Sequence, residues 1–286
     1  MYFQTLPNRQ RRTVQNSITK IFTDQLGRRV DINYPPQRII SLVPSQTELL
    51  YDLGLKDEVV GITKFCIHPE EWYKTKKRVG GTKKIDLNKI QQLQPDLIIG
   101  NKEENEKEQI EELMDHYTVW MSDIKTLGDA YEMIKKIGEI TGRKEKATKI
   151  IGKVKEGFNK LKAKDKGQRS NIKSAAYLIW KGPYLCAGGD TFINEMLNTC
   201  GFKNVFAASP RYPEITKIKL QKANPDLILL SSEPFPFKEK HIEEIRAICP
   251  RAKVVLVDGE MFSWYGSRLI HAPAYFLKLT KQVLKD

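Results

Sequence analysis

The sequence predicts an α/β protein of two Rossmann-like lobes with mostly parallel sheets, joined by a long α-helix. Three observations lead there: short apolar runs alternating with helical stretches, a pattern that occurs twice, and a long helical segment between the two occurrences. The strand candidates, in order, are 38–43 (RIISLV), 59–63 (VVGIT), 96–100 (DLIIG), 117–121 (YTVWM), 175–180 (AAYLIW), 226–231 (DLILLS) and 253–258 (KVVLVD). Several are apolar without alternation, as parallel strands covered on both faces require. Strands spaced by helices imply α/β architecture.

The repeat is visible in two pairs of segments. IQQLQPDLIIG at 90–100 parallels LQKANPDLILL at 220–230. In each, a helix ends before a Pro-Asp turn that feeds a buried strand, because the residue before proline is pushed out of the helical region. PSQTELLYDLGLKDEVVGI at 44–62 parallels GGDTFINEMLNTCGFKNVFA at 188–207. Each of these has a polar N-cap candidate, an amphipathic helix and a glycine at the helix end. The offsets of the two pairs differ, as loops of unequal length produce.

Between the halves, Ala130, Met133, Ile134, Ile137 and Ile140 recur at helical spacing, and Ala147, Ile150, Val154, Phe158 and Leu161 resume it. Thr141-Gly142-Arg143 either kinks one helix or caps one and begins another. A continuous helix would span about 55 Å at 1.5 Å per residue, enough to bridge two lobes. The expected organisation is an extension over 1–22, a lobe over 23–126, a linker over 127–164 and a second lobe over 165–286.

Composition narrows the function. The 286 residues are 40% apolar and 29% charged, with a net charge of +13. A basic balance favours nucleic acid, anionic membranes or anionic ligands. Here, however, the lysines are mixed with glutamates along helices and read as solvated faces. No zinc-finger, RNP or helix-turn-helix signature accompanies them, so a nucleic-acid partner is not expected. No run of 18 apolar residues is present, and no membrane span is expected. The polar, basic first 20 residues lack the apolar core of a secretion signal. As it stands the chain reads as cytoplasmic, and as periplasmic if a signal was removed. Cys66, Cys186, Cys200 and Cys249 form no CxxC pair and read as reduced, buried thiols. Four histidines, two on helices, are too few for a bare-metal receptor. No nucleophile elbow, Walker loop or dinucleotide fingerprint appears, so neither an enzyme nor an intrinsic cofactor is expected.

DQLGRRVDINYPPQRIISLVPSQTELLYDLGLKDEVVGIT followed by DLNKIQQLQPDLIIG resembles the solute-binding components of cobalamin and ferric-siderophore ABC importers. The resemblance extends from about Thr23 to Lys285. It implies two lobes joined by one helix, with cobalamin or an iron-siderophore chelate held between them by a monomer, and an ABC permease as partner. It also implies one exposed docking glutamate on each lobe, yet the matching positions here are close to Lys77 and Ile218. That departure, together with the absent signal, keeps open a chelate-binding protein not coupled to import.

Ligands of such folds are gripped by loops at the carboxyl ends of parallel strands. After the first strand, Pro44, Ser45, Gln46 and Thr47 open a helix whose free N–H groups could face the ligand, or simply be capped by Ser45 or Thr47. After the second come Phe65 and His68, with Cys66 between them; a packed loop touching a large ligand is favoured over a bare-metal pair. Lys102 follows the third strand. Glu103 and Glu104 beside it read as a solvated helix start. In the second half, Trp180, Tyr184, Tyr212, Phe235, Glu260, Phe262, Trp264 and Tyr265 sit at or beyond strand ends. The resemblance gives the Tyr212 loop an aromatic ligand contact. So many rings in loops suit a large, rigid, partly apolar chelate, although several of them could pack on their own lobe.

Overall fold

A hairpin opens the described part of the chain, which in this computed structural model covers residues 18–165 and 172–284. Strands β1 (Ile18–Thr23) and β2 (Arg29–Tyr34) pair antiparallel around Gly27, whose φ of +78° suits the turn. Asp24 closes the turn by accepting from the Leu26 and Arg28 backbone N–H groups. Neither strand is among the seven expected. β1 is exposed along nearly its whole length and carries no apolar alternation, whereas β2 buries Val30 and Ile32 in alternation, a signal the reading passed over.

The first lobe is a parallel sheet in the order β5-β4-β3-β6-β7, with β3 (Ile39–Ser41), β4 (Val59–Ile62), β5 (Lys77–Arg78), β6 (Leu97–Asn101) and β7 (Val119–Ser122). Helices α1 (Pro44–Asp52), α2 (Glu70–Thr75), α3 (Leu87–Leu93) and α4 (Lys107–Met114) connect the strands. The second lobe runs β10-β8-β11-β12, with β8 (Ser174–Trp180), β10 (Lys203–Asn204), β11 (Leu227–Ser231) and β12 (Lys253–Val257) parallel, and β9 (Leu185–Cys186) antiparallel on β8. Its helices are α7 (Phe192–Thr199), α8 (Lys217–Ala223), α9 (Glu239–Ile248), α10 (Glu260–Ser263) and α11 (Ala272–Leu284), with a 3₁₀ turn at Ser267–Ile270. All seven expected strands are present. The additional β5, β9 and β10 have two residues each, too short to leave a pattern.

The repeat has a physical basis. Asp86 and Thr216 cap α3 and α8 by accepting from the backbone three residues on. Gln94 and Asn224 end these helices in the left-handed region, at φ of 44° and 43°. The aspartate that follows then ties down the neighbouring strand. Asp96 accepts from the Gln37 and Arg38 N–H groups ahead of β3, and Asp226 accepts from the Ser174 N–H and hydroxyl at the start of β8. In both lobes one side chain therefore sets the register of the central strand pair.

Residues 127–164 do not form one rod. Helix α5 (Leu127–Ile140) starts at a capping box between Thr126 and Asp129 and ends at Thr141. Gly142, at φ +69°, turns the chain into α6 (Lys144–Asp165). The bridging element is α6, about 33 Å long at 1.5 Å per residue. Its buried stripe of Ala147, Ile150, Val154, Phe158 and Leu161 packs against α5 on one side and α11 on the other. The Phe158 and Phe276 rings meet at 6.5 Å. A single apolar core consequently runs from the first sheet through α5, α6 and α11 to one face of the second sheet, and a smaller core covers that sheet's other face.

Gly138 marks the tightest point of this junction, since a Cβ there would sit 2.3 Å from the Ala147 Cβ. Gly138→Val is expected to wedge α5 from α6 at a cost of about 1–3 kcal/mol, read as a lower urea midpoint with an unchanged slope.

Candidate functional site

The carboxyl ends of the two parallel sheets face each other, and side chains from the loops beyond them meet. Arg268, in the 3₁₀ turn, donates Nε and Nη2 to the two carboxylate oxygens of Glu48 on α1, at 2.9 and 2.6 Å. Its Nη1 lies 2.7 Å from Glu260 of its own lobe. The same guanidinium covers the Trp264 ring at 4.6 Å. His68, in the loop after β4, reaches back to Glu260 at 3.4 Å and meets Trp264 edge-on. A second crossing joins Arg211 to Glu103 at 2.6 Å, with the Tyr212 hydroxyl 3.5 Å from the same carboxylate. At a third, Gly266 lies against the Ser45 carbonyl so closely that a Cβ would stand 2.5 Å from the oxygen.

The structure sorts the expected residues. Phe65 remains open, 50% exposed, with Lys64 Nζ 5.0 Å above its ring. Trp180 is 39% exposed and leans edge-on against Phe235. Tyr212, Glu260 and His68 take part in the crossings. Trp264 and Tyr265 are buried where the lobes meet rather than open to a gap. Trp264 Nε1 donates to Glu233 at 2.9 Å, and Tyr265 packs edge-on to Phe192.

Other expectations need correction. Phe262 is a core residue, fully buried against Tyr177 and Phe276, because the α10 turn directs it under the sheet. Tyr184 donates to Glu244 of α9 at 2.5 Å and packs in the outer core of its own lobe. Phe235 packs among Trp180, Phe237 and His241. Lys102 pairs with Asp123 of its own lobe at 2.8 Å. Pro44 is half-buried, and Ser45, Gln46 and Thr47 are buried. Gln46 Nε2 donates to Ser122, and the Thr47 hydroxyl lies 2.8–3.1 Å from Ser41, Val43 and Cys66. The start of α1 is thus an internal polar junction. Cys66 is buried beneath Thr47 and Thr63 while His68 turns to Glu260, so the two side chains diverge. Among the described residues no cluster of three or more His, Cys, Asp or Glu has metal-holding geometry.

The expected site residues do not include Glu48, Glu233 or Arg268, and Glu103 and Glu104 read from the sequence as a solvated helix start rather than as part of the junction. Glu48 is the one charge amid PSQTELL, a possible signal. Glu103 and Glu104 precede α4 instead of starting it, in a turn held by the Asn101 side-chain Oδ1, which accepts from both their N–H groups. Burial raises the pKa of Glu48, Glu103 and Glu104. It lifts that of Glu233 to about 7, against hydrogen bonds from Ser263 and Trp264. This concentration of half-buried carboxylates and rings between two lobes suits reversible capture of a ligand. It lacks a nucleophile paired with a base.

Residues 39–247 match the family described as periplasmic binding protein. The chain belongs to this family. Its members are binding proteins, not enzymes. The chain is 30% identical to an uncharacterized ABC transporter substrate-binding lipoprotein of Bacillus subtilis, over 86% of this chain and 81% of that protein. It is 26% identical to a vitamin B12-binding protein of Pectobacterium carotovorum, over 83% and 86%. Among solved structures, the periplasmic vitamin B12-binding protein BtuF of Vibrio cholerae superposes with a TM-score of 0.75 at 22% identity, covering 88% of this chain and 99% of that one. A periplasmic heme-binding protein of Pseudomonas aeruginosa gives 0.72 at 21% identity, over 84% and 91%. Both superpositions show the two-lobed fold of this family.

Two outcomes test the crossings. Arg268→Ala strands Glu48 and Glu260 without their shared cation. A loss of about 2–4 kcal/mol is expected by chemical denaturation, with a larger radius of gyration in solution scattering. Glu233 has a folded pKa above its unfolded one, so it binds its proton more tightly in the fold. Its share of stability is therefore full below the unfolded value of 4.5 and is lost as pH rises through about 7. Glu233→Gln, which keeps an acceptor oxygen for Ser263 and Trp264, should raise stability at pH 8 by of order 2–3 kcal/mol and leave it unchanged at pH 4.

Proposed function

We propose that this periplasmic binding protein captures a large, rigid metal chelate of the corrinoid or ferric-siderophore type between its lobes and delivers it to the permease of an ABC importer. The supporting observation is the pair of aromatic faces left open at strand ends, Phe65 beyond β4 and Trp180 at the end of β8. Exposed rings forgo a hydrophobic gain of about 25 cal/mol per Å², which a flat apolar ligand restores on covering them. Half-buried Tyr212 adds a ring with a polar tip. The relatives named for vitamin B12 binding and for ABC transport support the same reading.

A second reading, a chelate carrier without a permease, is favoured by one observation. Ile218 is 64% exposed and Lys77 is exposed, so neither lobe presents a carboxylate where the resemblance implies docking. Nucleotide hydrolysis by a candidate permease that fails to rise on adding the loaded protein would favour this second reading.

Visible absorbance titration with cobalamins, hemin and ferric siderophores tests the ligand class. At least one should shift its spectrum and quench tryptophan fluorescence. Phe65→Ala and Trp180→Ala should each weaken binding about tenfold, without a change in folding stability above about 1 kcal/mol. Flat titrations with every chelate would refute the proposal.

A further inference from the structure

Resting on that chelate reading, we propose that the cleft selects neutral or cationic chelates bearing hydrogen-bond donors and rejects polyanionic ones. The protein as a whole carries +13, yet the junction between its lobes is rich in carboxylates. Arg268 is shared by Glu48 and Glu260. Arg211 serves Glu103 while its backbone N–H also binds Asp190. Among the described residues no salt bridge joins a cation to Glu104 or Glu233. Among the described residues no donor reaches the Glu104 carboxylate, which feels the negative charge of Glu103 and Glu233, with Lys83 as the compensating charge.

Orphaned acceptors point the same way. Gln46 Oε1, on a fully buried side chain, and Asp123 Oδ1 have no hydrogen-bond partner. Buried acceptors without donors are costly, and a ligand carrying N–H groups or positive charge relieves that cost. The exposed ring of Trp180 presents negative π density, which attracts cations. Burial raises the pKa of Glu103 against the nearby charge of Arg211, and that of Glu104 against the charge of Lys83.

The test uses two pairs of probes on the full chain, one of macrocyclic chelates and one of ferric siderophores, each setting a cation against an anion. Aquocobalamin, a cation, is set against hemin, which carries two propionates. Ferrioxamine B, a cation, is set against a trianionic ferric tris-catecholate. In at least one pair the cation should bind about tenfold or more tightly than the anion, and lower salt should widen the gap. Glu104→Lys should shrink or reverse this preference, and Glu104→Gln should reduce it with less risk to folding. Anions binding as well as or better than cations would overturn the selection while leaving the chelate reading intact. So would a preference unchanged in both folded variants, as regards these carboxylates. If none of the four probes binds, the chelate reading fails and the selection fails with it.

Discussion

One shared helix governs how the molecule is put together. The buried stripe of α6 belongs at once to the core of the first lobe, through α5, and to that of the second, through α11. Interiors are close-packed, so an element with both cores on its surface cannot rotate one lobe without disturbing the other. The facing of the two sheets' carboxyl ends follows from that packing. The left-handed break at Gly142 matters for the same reason, because it lets α5 fold back on the first lobe and leaves α6 to span the remaining distance.

On this frame the lobes meet through charge more than through apolar contact. Arg268 and Arg211 each engage a carboxylate across the junction, in surroundings dry enough to raise the pKa of Glu48 and Glu103. Ion pairs of this kind contribute little net stability beside well-packed apolar groups, but breaking one leaves an uncompensated charge. They are also directional and exchangeable. The rings are divided accordingly. Phe262 and Tyr265 serve packing, Trp264 links the two kinds of contact, and Phe65 and Trp180 stay uncovered.

Much of the fold was legible from local chemistry. Buried parallel strands need unbroken apolar runs, and the helix-Pro-Asp-strand repeat uses the same capping and carboxylate geometry twice, so both left marks in the chain. The hairpin and the two-residue strands left weak marks, since an exposed or very short strand needs no apolar pattern. Of the residues at strand ends, His68, Tyr212, Glu260, Trp264 and Tyr265 lie where the lobes meet, whereas Lys102, Tyr184 and Phe235 pack within their own lobes. Their individual roles were not legible. Phe262 and Phe65 are both rings just beyond a strand, yet one is buried under the sheet and the other stands open.

The sequence by itself determined the class of fold and the duplication, because these rest on periodicity and turn chemistry confined to short stretches of chain; the binding family entered through resemblance to known sequences. Only the tertiary structure decided which side chains face the junction. Glu48 meets Arg268, and Glu103 meets Arg211, across more than a hundred residues of intervening chain. Such partners are fixed by how two sheets are held apart and turned toward each other. No local pattern encodes that arrangement, which is set by packing around a single helix.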